Sequence, residues 1–265
     1  MKKRIVLAIT LASSLLIGST AASAQTSNFK DVSETQHSWA ISSISFMTEK
    51  GVVTGYSDGT FKPDEKVTKA EFISMTHKLF DKYRSQELVV DKFIDVPKNY
   101  WAYTAIYDMA PMMDTGNFSY YTKEGKVFDP DKELTRMGVV NLLPEVYSPI
   151  SLDEAYKRVS KMQDFKIVVS DNYDDNRYMY GVDMTNTVFP FVIDYLDNGT
   201  MKIFDDYTEV VAPKVASLQQ HGIMTTYNGE FEAADQVTRA EAVTILHRLY
   251  NHLKDNGELS KYSSK

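Results

Sequence analysis

The chain has 265 residues, 43% hydrophobic and 25% charged, with 29 Lys+Arg against 36 Asp+Glu and a formal charge of −7. The absence of cysteine excludes disulfide scaffolds, thiolate metal sites and cysteine nucleophiles. The acidic balance, with a pI near 5.3, argues against nucleic-acid binding through an overall positive field, and stability is left to packing.

Lys2, Lys3 and Arg4 precede an apolar run over residues 5–17, and Ala22-Ser23-Ala24 supplies the small-residue pattern of a secretory cleavage site. Residues 1–24 are therefore expected to be a signal peptide. The run falls short of the roughly 20 residues that span a bilayer, so the mature chain is expected to be secreted and soluble, with no membrane attachment after cleavage. Removal of the three basic residues leaves 26 basic against 36 acidic, a formal charge of −10. That favours a neutral or cationic partner, or a local basic site on an acidic body.

The mature chain repeats itself three times. The first copy runs from Phe29-Lys-Asp31-Val32 through Trp39-Ala40 and Gly51-Val-Val-Thr-Gly55-Tyr56-Ser57-Asp58-Gly59-Thr-Phe61-Lys-Pro63 to Val67-Thr68-Lys69-Ala70-Glu71. The second has Phe93-Ile-Asp95-Val96, Trp101-Ala102, Phe128-Asp-Pro130 and Leu134-Thr135-Arg136. The third has Phe204-Asp205, Gly222-Ile223, Tyr227-Asn-Gly229, Phe231 and Val237-Thr238-Arg239-Ala240-Glu241. From Phe61 to Phe80 the first and third copies keep a constant offset of 170 residues.

Each copy reads as helix, loop, helix. Trp39, Ile41, Ile44, Phe46 and Met47 recur at a helical period, Gly51 stands as a C-terminal stop, and Thr68 opens the next helix. That helix has the apolar stripe Phe72, Ile73, Met75, Thr76, Leu79 and Phe80, matched in the third copy by Ala242, Val243, Ile245, Leu246, Leu249 and Tyr250. Short helices cannot bury such stripes alone. The expected fold is mainly α, with three repeats packed as a pseudo-threefold bundle around their closing helices. The boundaries read 28–83, 92–147 and 204–253, with an insertion over 148–203 and a frayed polar tail over 254–265.

The series Phe-x-Asp-Val, Trp-Ala, Gly-Val-Val-x-Gly-Tyr-x-Asp-Gly-Thr-Phe-x-Pro and Thr-Lys/Arg-Ala-Glu resembles the S-layer homology module of bacterial surface proteins. The first copy matches along nearly its full length, the third mainly from Gly222, and the second at both ends. The resemblance implies a pseudo-trimer with a central helix bundle. It also implies non-covalent anchoring to secondary cell-wall polysaccharide, often through a pyruvylated sugar, at the cell wall or S-layer of a Gram-positive type envelope.

Thr68-x-x-Glu71 and Thr238-x-x-Glu241 are capping boxes, which account for Thr and Glu. They do not account for Lys69, Arg136 and Arg239, because a cation at a helix N-terminus opposes the macrodipole. A cation beside unpaired helix N–H groups would hold a carboxylate such as a pyruvyl ketal. The copies are unequal: the second reads Met137-Gly138 after its Arg, with a longer loop around Tyr120-Tyr121, and the third lacks Trp-Ala and the loop Asp. One or two working sites are therefore expected. Trp39 and Trp101 stack on sugar faces in one reading and are core in the other. Asp58 and Gly59 either hydrogen-bond sugar hydroxyls or simply close a turn.

Gly55-Tyr-Ser57-Asp-Gly59 matches a nucleophile elbow, but Thr60-Phe-Lys-Pro63 is no helix, so Ser57 is not expected to be catalytic. His77 and His247 share a repeat position and read as packing, and no metal or cofactor is expected. In the insertion, Ser151-Leu-Asp-Glu154 is a capping box opening a helix with Ala155, Val159 and Met162 inward. Strands follow over 166–169, 178–184, 188–195 and 200–204, with Asp197-Asn198-Gly199 a hairpin turn. This small α+β unit is similar to PepSY-type domains, thought to restrain proteases, which implies a possible protein partner. Asp171, Asp174 and Asp175 lack the spacing of a calcium loop. Wall anchoring without enzymatic activity is the reading of the whole. Its alternatives are a surface scaffold or protease-inhibitor-like role for the insertion, and a wall-glycan hydrolase using Asp58 with Glu71.

Overall fold

A computed structural model describes residues 29–84, 92–112, 119–144, 150–167, 192–195, 200–203 and 206–265. Residues 1–24, read above as a signal peptide, the Asp171, Asp174 and Asp175 group, the 178–184 strand, the Asp197-Asn198-Gly199 turn and Phe204-Asp205 lie outside them.

The described chain is mostly helical with few strands. Three helix pairs follow in order: α1 (Ile41–Glu49) with α2 (Lys69–Leu79), α3 (Tyr103–Met109) with α4 (Arg136–Leu142), and, after α5 (Leu152–Val159), α6 (Asp206–Gln220) with α7 (Arg239–Asp255). A short α8 (Leu259–Tyr262) ends the order. The longer loop of the second repeat is a hairpin of β1 (Tyr120–Tyr121) and β2 (Lys126–Val127). In the insertion β3 (Lys166–Ile167) pairs parallel with β4 (Val192–Tyr195), and β4 pairs antiparallel with β5 (Thr200–Ile203), with Tyr195 opposite Thr200.

Local chemistry sets the helix ends. Thr68 Oγ1 accepts from Glu71 N at 3.2 Å while Glu71 Oε2 accepts from Thr68 N at 2.8 Å, and Thr238 with Glu241 repeats the box at 3.2 and 2.7 Å. Thr135 caps Gly138 N at 3.0 Å with no carboxylate to answer it. Ser151 forms only the hydroxyl half of its expected box, because the Glu154 carboxylate turns to Arg158 Nε at 2.9 Å, one helical turn on. Gly51 and Gly222 follow α1 and α6 at φ of 66° and 65°, the left-handed conformation that stops a helix. Both predicted apolar stripes are buried, as are Ala155, Val159 and Met162.

The segments leading into the three closing helices meet. Val67 N donates to Val237 O at 3.0 Å, Val237 N to Leu134 O at 2.8 Å, and Leu134 N to Val67 O at 2.8 Å. These three hydrogen bonds form a closed ring, and its side chains are buried. Each closing helix then has its first amides capped by the next repeat. Lys69 N and Ala70 N donate to Lys132 O and Pro130 O, Arg136 N and Met137 N to Asp235 O and Ala233 O, and Arg239 N and Ala240 N to Glu65 O and Pro63 O, all at 2.8–3.0 Å. The helices follow the same order: α2 packs on α3, α4 on α6, and α7 on α1. There are thus three junctions, numbered by the closing helix that enters them: first (α2), second (α4) and third (α7).

A carboxylate pins each loop. Asp31 accepts from Phe61 N and Lys62 N at 2.8 and 2.7 Å, and Asp95 from Phe128 N and Asp129 N at 2.9 and 2.6 Å. The equivalent loop of the third repeat is pinned by Asp164, which accepts from Phe231 N at 2.8 Å and Ala233 N at 3.4 Å. The residue before each Asp makes the same backbone bond: Lys30 N to Gly59 O, Ile94 N to Lys126 O, Gln163 N to Gly229 O. In exchange the loops hold Lys62, Asp129 and Glu232 at φ of 55–58°, where a side chain is costly.

The tail, expected to fray, is docked instead. Ser263 is buried and donates to Leu79 O at 2.7 Å, Ser264 N bonds Asp81 at 2.7 Å, and Lys265 Nζ reaches Lys50 O at 3.0 Å. Carbonyls at the ends of both α1 and α2 thereby find donors, which a polar tail can supply as well as water can.

Two outcomes follow from these contacts. Ser263→Ala leaves the buried Leu79 carbonyl without its donor and should lower stability by about 1–3 kcal/mol in urea unfolding. His247 stacks on Phe46 with ring centroids 4.0 Å apart, bonds Ser43 Oγ at 3.0 Å, and has its pKa pushed down by burial. Its neutral form is favoured in the fold, so its contribution is present above the ordinary histidine range near pH 6.5 and is lost as pH falls through the lower folded value. Melting temperature should therefore fall more steeply from pH 7 to 5 in the wild type than in His247→Phe, which keeps the ring without the titration.

Candidate functional site

The three predicted cations occupy equivalent places, each reaching from its closing helix onto the loop of the next repeat. Lys69 Nζ donates to Phe128 O and lies 4.3 Å from that ring's centroid. Arg136 donates through Nε to Phe231 O at 2.7 Å and through Nη2 to Thr225 O at 2.6 Å, over the Phe231 ring at 5.0 Å. Arg239 donates through Nη2 to Thr54 O at 2.9 Å, over the Phe61 ring at 4.8 Å and the Tyr56 ring at 5.4 Å.

The expected route to an anion site through unpaired helix amides is corrected here. The first two amides of each helix are bonded to the neighbouring loop and the third to the capping Thr. What offsets the unfavourable macrodipole is a set of neutral carbonyls and aromatic faces, which solvate a cation without cancelling its charge. Among the described residues no carboxylate forms an ion pair with Arg136 or Arg239.

The places differ in what remains available. Arg136 is 8% exposed with both Nε and Nη2 bonded. Arg239 is half-buried, and its Nε, itself buried, has no hydrogen-bond partner. Lys69 is also half-buried, and burial pushes its pKa down to about 8, against the opposing pull of the Asp129 carboxylate.

The remaining candidates divide. Glu71 and Glu241 are committed to their capping boxes. Asp58 takes both the amide and the hydroxyl of Thr60, at 3.0 and 2.6 Å, and these bonds hold its carboxyl below the ordinary range. Gly59 turns at φ 82°, so this pair closes a turn, and Asp58 and Glu71 stand in separate hydrogen-bond sets, not as paired acid and base. Trp39 and Trp101 are 46% and 62% exposed, which corrects the core reading. Trp101 precedes α3, which packs on α2, and Trp39 precedes α1, which packs on α7, so each stands on the element facing a closing helix. Tyr56 and Tyr227, also exposed, stand in corresponding loops, although at the 170-residue offset Tyr227 falls on Ser57, one position away from Tyr56.

Ser57 lies in a turn with no helix after it. His77 bonds Asp108 at 2.8 Å between α2 and α3, as His247 bonds Ser43 between α7 and α1, so both are packing residues. A depression of about 650 Å3 beside the hydrogen-bond ring is lined by Lys66 and Lys132 but also by Glu133 and Asp235, a balance that gives an anion no preference. No helix among the described residues is long and apolar enough to cross a membrane.

Two regions, residues 28–73 and 203–243, match the S-layer homology domain. The chain is 40% identical over 63 residues to cell surface glycoprotein 1 of Acetivibrio thermocellus, covering 24% of this chain and 3% of that protein. It is 43% identical over 54 residues to the cellulosome-anchoring protein of the same organism, covering 20% and 12%. It is 28% identical over 116 residues to an S-layer protein of Bacillus thuringiensis subsp. finitimus, covering 41% and 12%. The matched stretches are thus a small part of each relative. The S-layer homology sequence and these relatives support a cell-surface location and point to a structural, non-catalytic role.

Lys69 offers a direct check. Between about pH 8 and its unfolded value near 10.5 the folded chain has already released the proton that the unfolded chain still holds, so this group makes stability rise with pH across that window. Lys69→Met should remove that part of the rise in urea unfolding followed from pH 7.5 to 10, and side-chain NMR of the wild type should place the Nζ titration near 8.

Proposed function

We propose that the protein attaches non-covalently to cell-wall polysaccharide, and that an acidic substituent of the glycan, a pyruvyl ketal in the simplest case, docks at the junctions between repeats. The observation that carries this is the cation retained at one place in all three repeats. It bonds carbonyls of a neighbour's loop over an aromatic ring, in a chain with S-layer homology sequence.

In this reading the 93–143 stretch is a diverged second unit, supported by its sharing the ring, the amide capping and the Asp pin with the two matched regions. The third unit begins at Met162 and not at Phe204, supported by Asp164 standing where Asp31 and Asp95 stand. The three closing helices then form the centre of a pseudo-threefold bundle, and the sheet of β3 to β5 is an insertion within the last unit. Export through cleavage of residues 1–24 completes the account.

Purified wall sacculi should deplete the protein from solution, and sacculi stripped of pyruvyl groups by mild acid should not. Arg239→Ala should weaken capture roughly tenfold or more by loss of a charge-assisted contact. It should also cost about 1 kcal/mol of stability, because its bond to Thr54 O links two repeats. Equal capture by stripped and intact walls would overturn the proposal.

A further inference from the structure

We infer that the second junction has been withdrawn from ligand binding and serves as the mount of the insertion, leaving two working sites at the first and third junctions. The inference rests on the proposed wall-binding role for its ligand half and on the hydrogen bonds alone for its mounting half.

Each junction draws its cation and its N3 residue from one repeat, and its loop and flanking aromatic from the next. Two sequence departures that belong to different repeats therefore meet in one place. The second repeat has Gly138 where Glu71 and Glu241 stand, and the third has Asn228 in place of Asp58. The chain's two tryptophans, Trp39 and Trp101, both precede helices that face the other two junctions. The second junction thus lacks the N3 carboxylate and the tryptophan that both other junctions keep, while the loop Asp is kept only at the third, the loop that enters the first having Gly125 at that register. Its cation is the least exposed of the three, with Arg136 8% exposed and both Nε and Nη2 bonded to protein carbonyls, whereas Lys69 and Arg239 are half-buried.

What those carbonyls belong to gives the junction its other role. Thr225 and Phe231 are on the loop whose opposite edge holds the root of the insertion: Gln163 N donates to Gly229 O at 2.9 Å, and Asp164 accepts from Phe231 N at 2.8 Å and Ala233 N at 3.4 Å. Phe231 is thus gripped through its carbonyl by Arg136 and through its amide by Asp164. β3 begins two residues after Asp164. The other end of the insertion runs into α6, which packs on both α4 and α5. Both ends of the sheet are tied to this one junction. A guanidinium suits the task, since its planar fork can bond two carbonyls at once where an ammonium presents a point charge.

The test uses the mature chain and a 4,6-pyruvylated hexose methyl glycoside, titrated by calorimetry, with amide exchange of β4 and β5 followed by mass spectrometry. The wild type should bind two equivalents. Arg136→Gln should still bind two, with affinity changed by no more than about twofold, while its β4 and β5 amides exchange at least tenfold faster. Lys69→Met and Arg239→Gln should each leave one equivalent, with insertion exchange unchanged. One or three equivalents in the wild type, loss of an equivalent in Arg136→Gln, or unchanged exchange in that variant overturns the inference. Should Arg136→Gln fail to fold, Asp164→Asn tests the mount from its other side by the same exchange measurement. Absence of any binding by the wild type refutes wall attachment itself, and the exchange arm still decides the mount.

Discussion

The structure depends on three backbone hydrogen bonds that run from Val67 to Val237, from Val237 to Leu134, and from Leu134 back to Val67. No repeat can satisfy these groups by itself, because donor and acceptor always belong to different repeats. The same holds one step outward, where the opening amides of every closing helix are bonded by the following loop. An isolated helix leaves its first amides to water, so each repeat here is incomplete until its neighbour arrives. Folding of the three is coupled for that reason, and the junctions are formed by the same contacts that make the fold.

This coupling explains how a cation survives at a helix start. Against an exposed helix end, Lys69, Arg136 and Arg239 would oppose the macrodipole. Here the amide dipoles are answered by carbonyls of the adjoining loop, and further carbonyls and the faces of Phe128, Phe231 and Phe61 solvate the side chains. For Arg136 and Arg239 such partners leave the positive charge without an ion pair among the described residues. A carboxylate partner would have satisfied the cation more strongly and also left it unable to attract an outside anion. The depressed pKa of Lys69 marks the cost of this arrangement, since burial among neutral groups disfavours the charged form.

The repeats, both capping boxes, the glycine stops and the buried stripes were legible in the sequence because each is a local rule written in a few adjacent residues. The partners of the helix amides were not, since they come from the next repeat through backbone carbonyls that any residue carries. Asp164 was missed for a related reason: Met162-Gln163-Asp164-Phe165 shares only its Asp with Phe-x-Asp-Val, and 67 positions separate it from Phe231, whose amide donates to it. Of the two readings of Trp39 and Trp101, sugar platform or core, helical spacing favoured core, yet both fall just before the first helical turn and stand exposed. The tail's polar composition signalled fraying, whereas its Ser263 and Lys265 supply donors to helix-end carbonyls that composition does not reveal.

The third junction differs from the other two in chain distance. The first and second join repeats that follow one another, but the third joins the last repeat to the first, so Arg239 reaches Thr54 across 185 positions and His247 reaches Ser43 across 204. Closing so long a loop costs more entropy than closing a short one, although the cost grows only logarithmically, so a few added contacts are enough to offset it. The structure supplies them at both ends of the junction. One end has the ring and the grip of Arg239. The other has the stacked His247 and Phe46 and the docked tail, whose Ser263 and Lys265 bond the ends of α2 and α1. These extra contacts fall where chain connectivity helps least, which is where a structure closed by hydrogen bonds between repeats would otherwise open first.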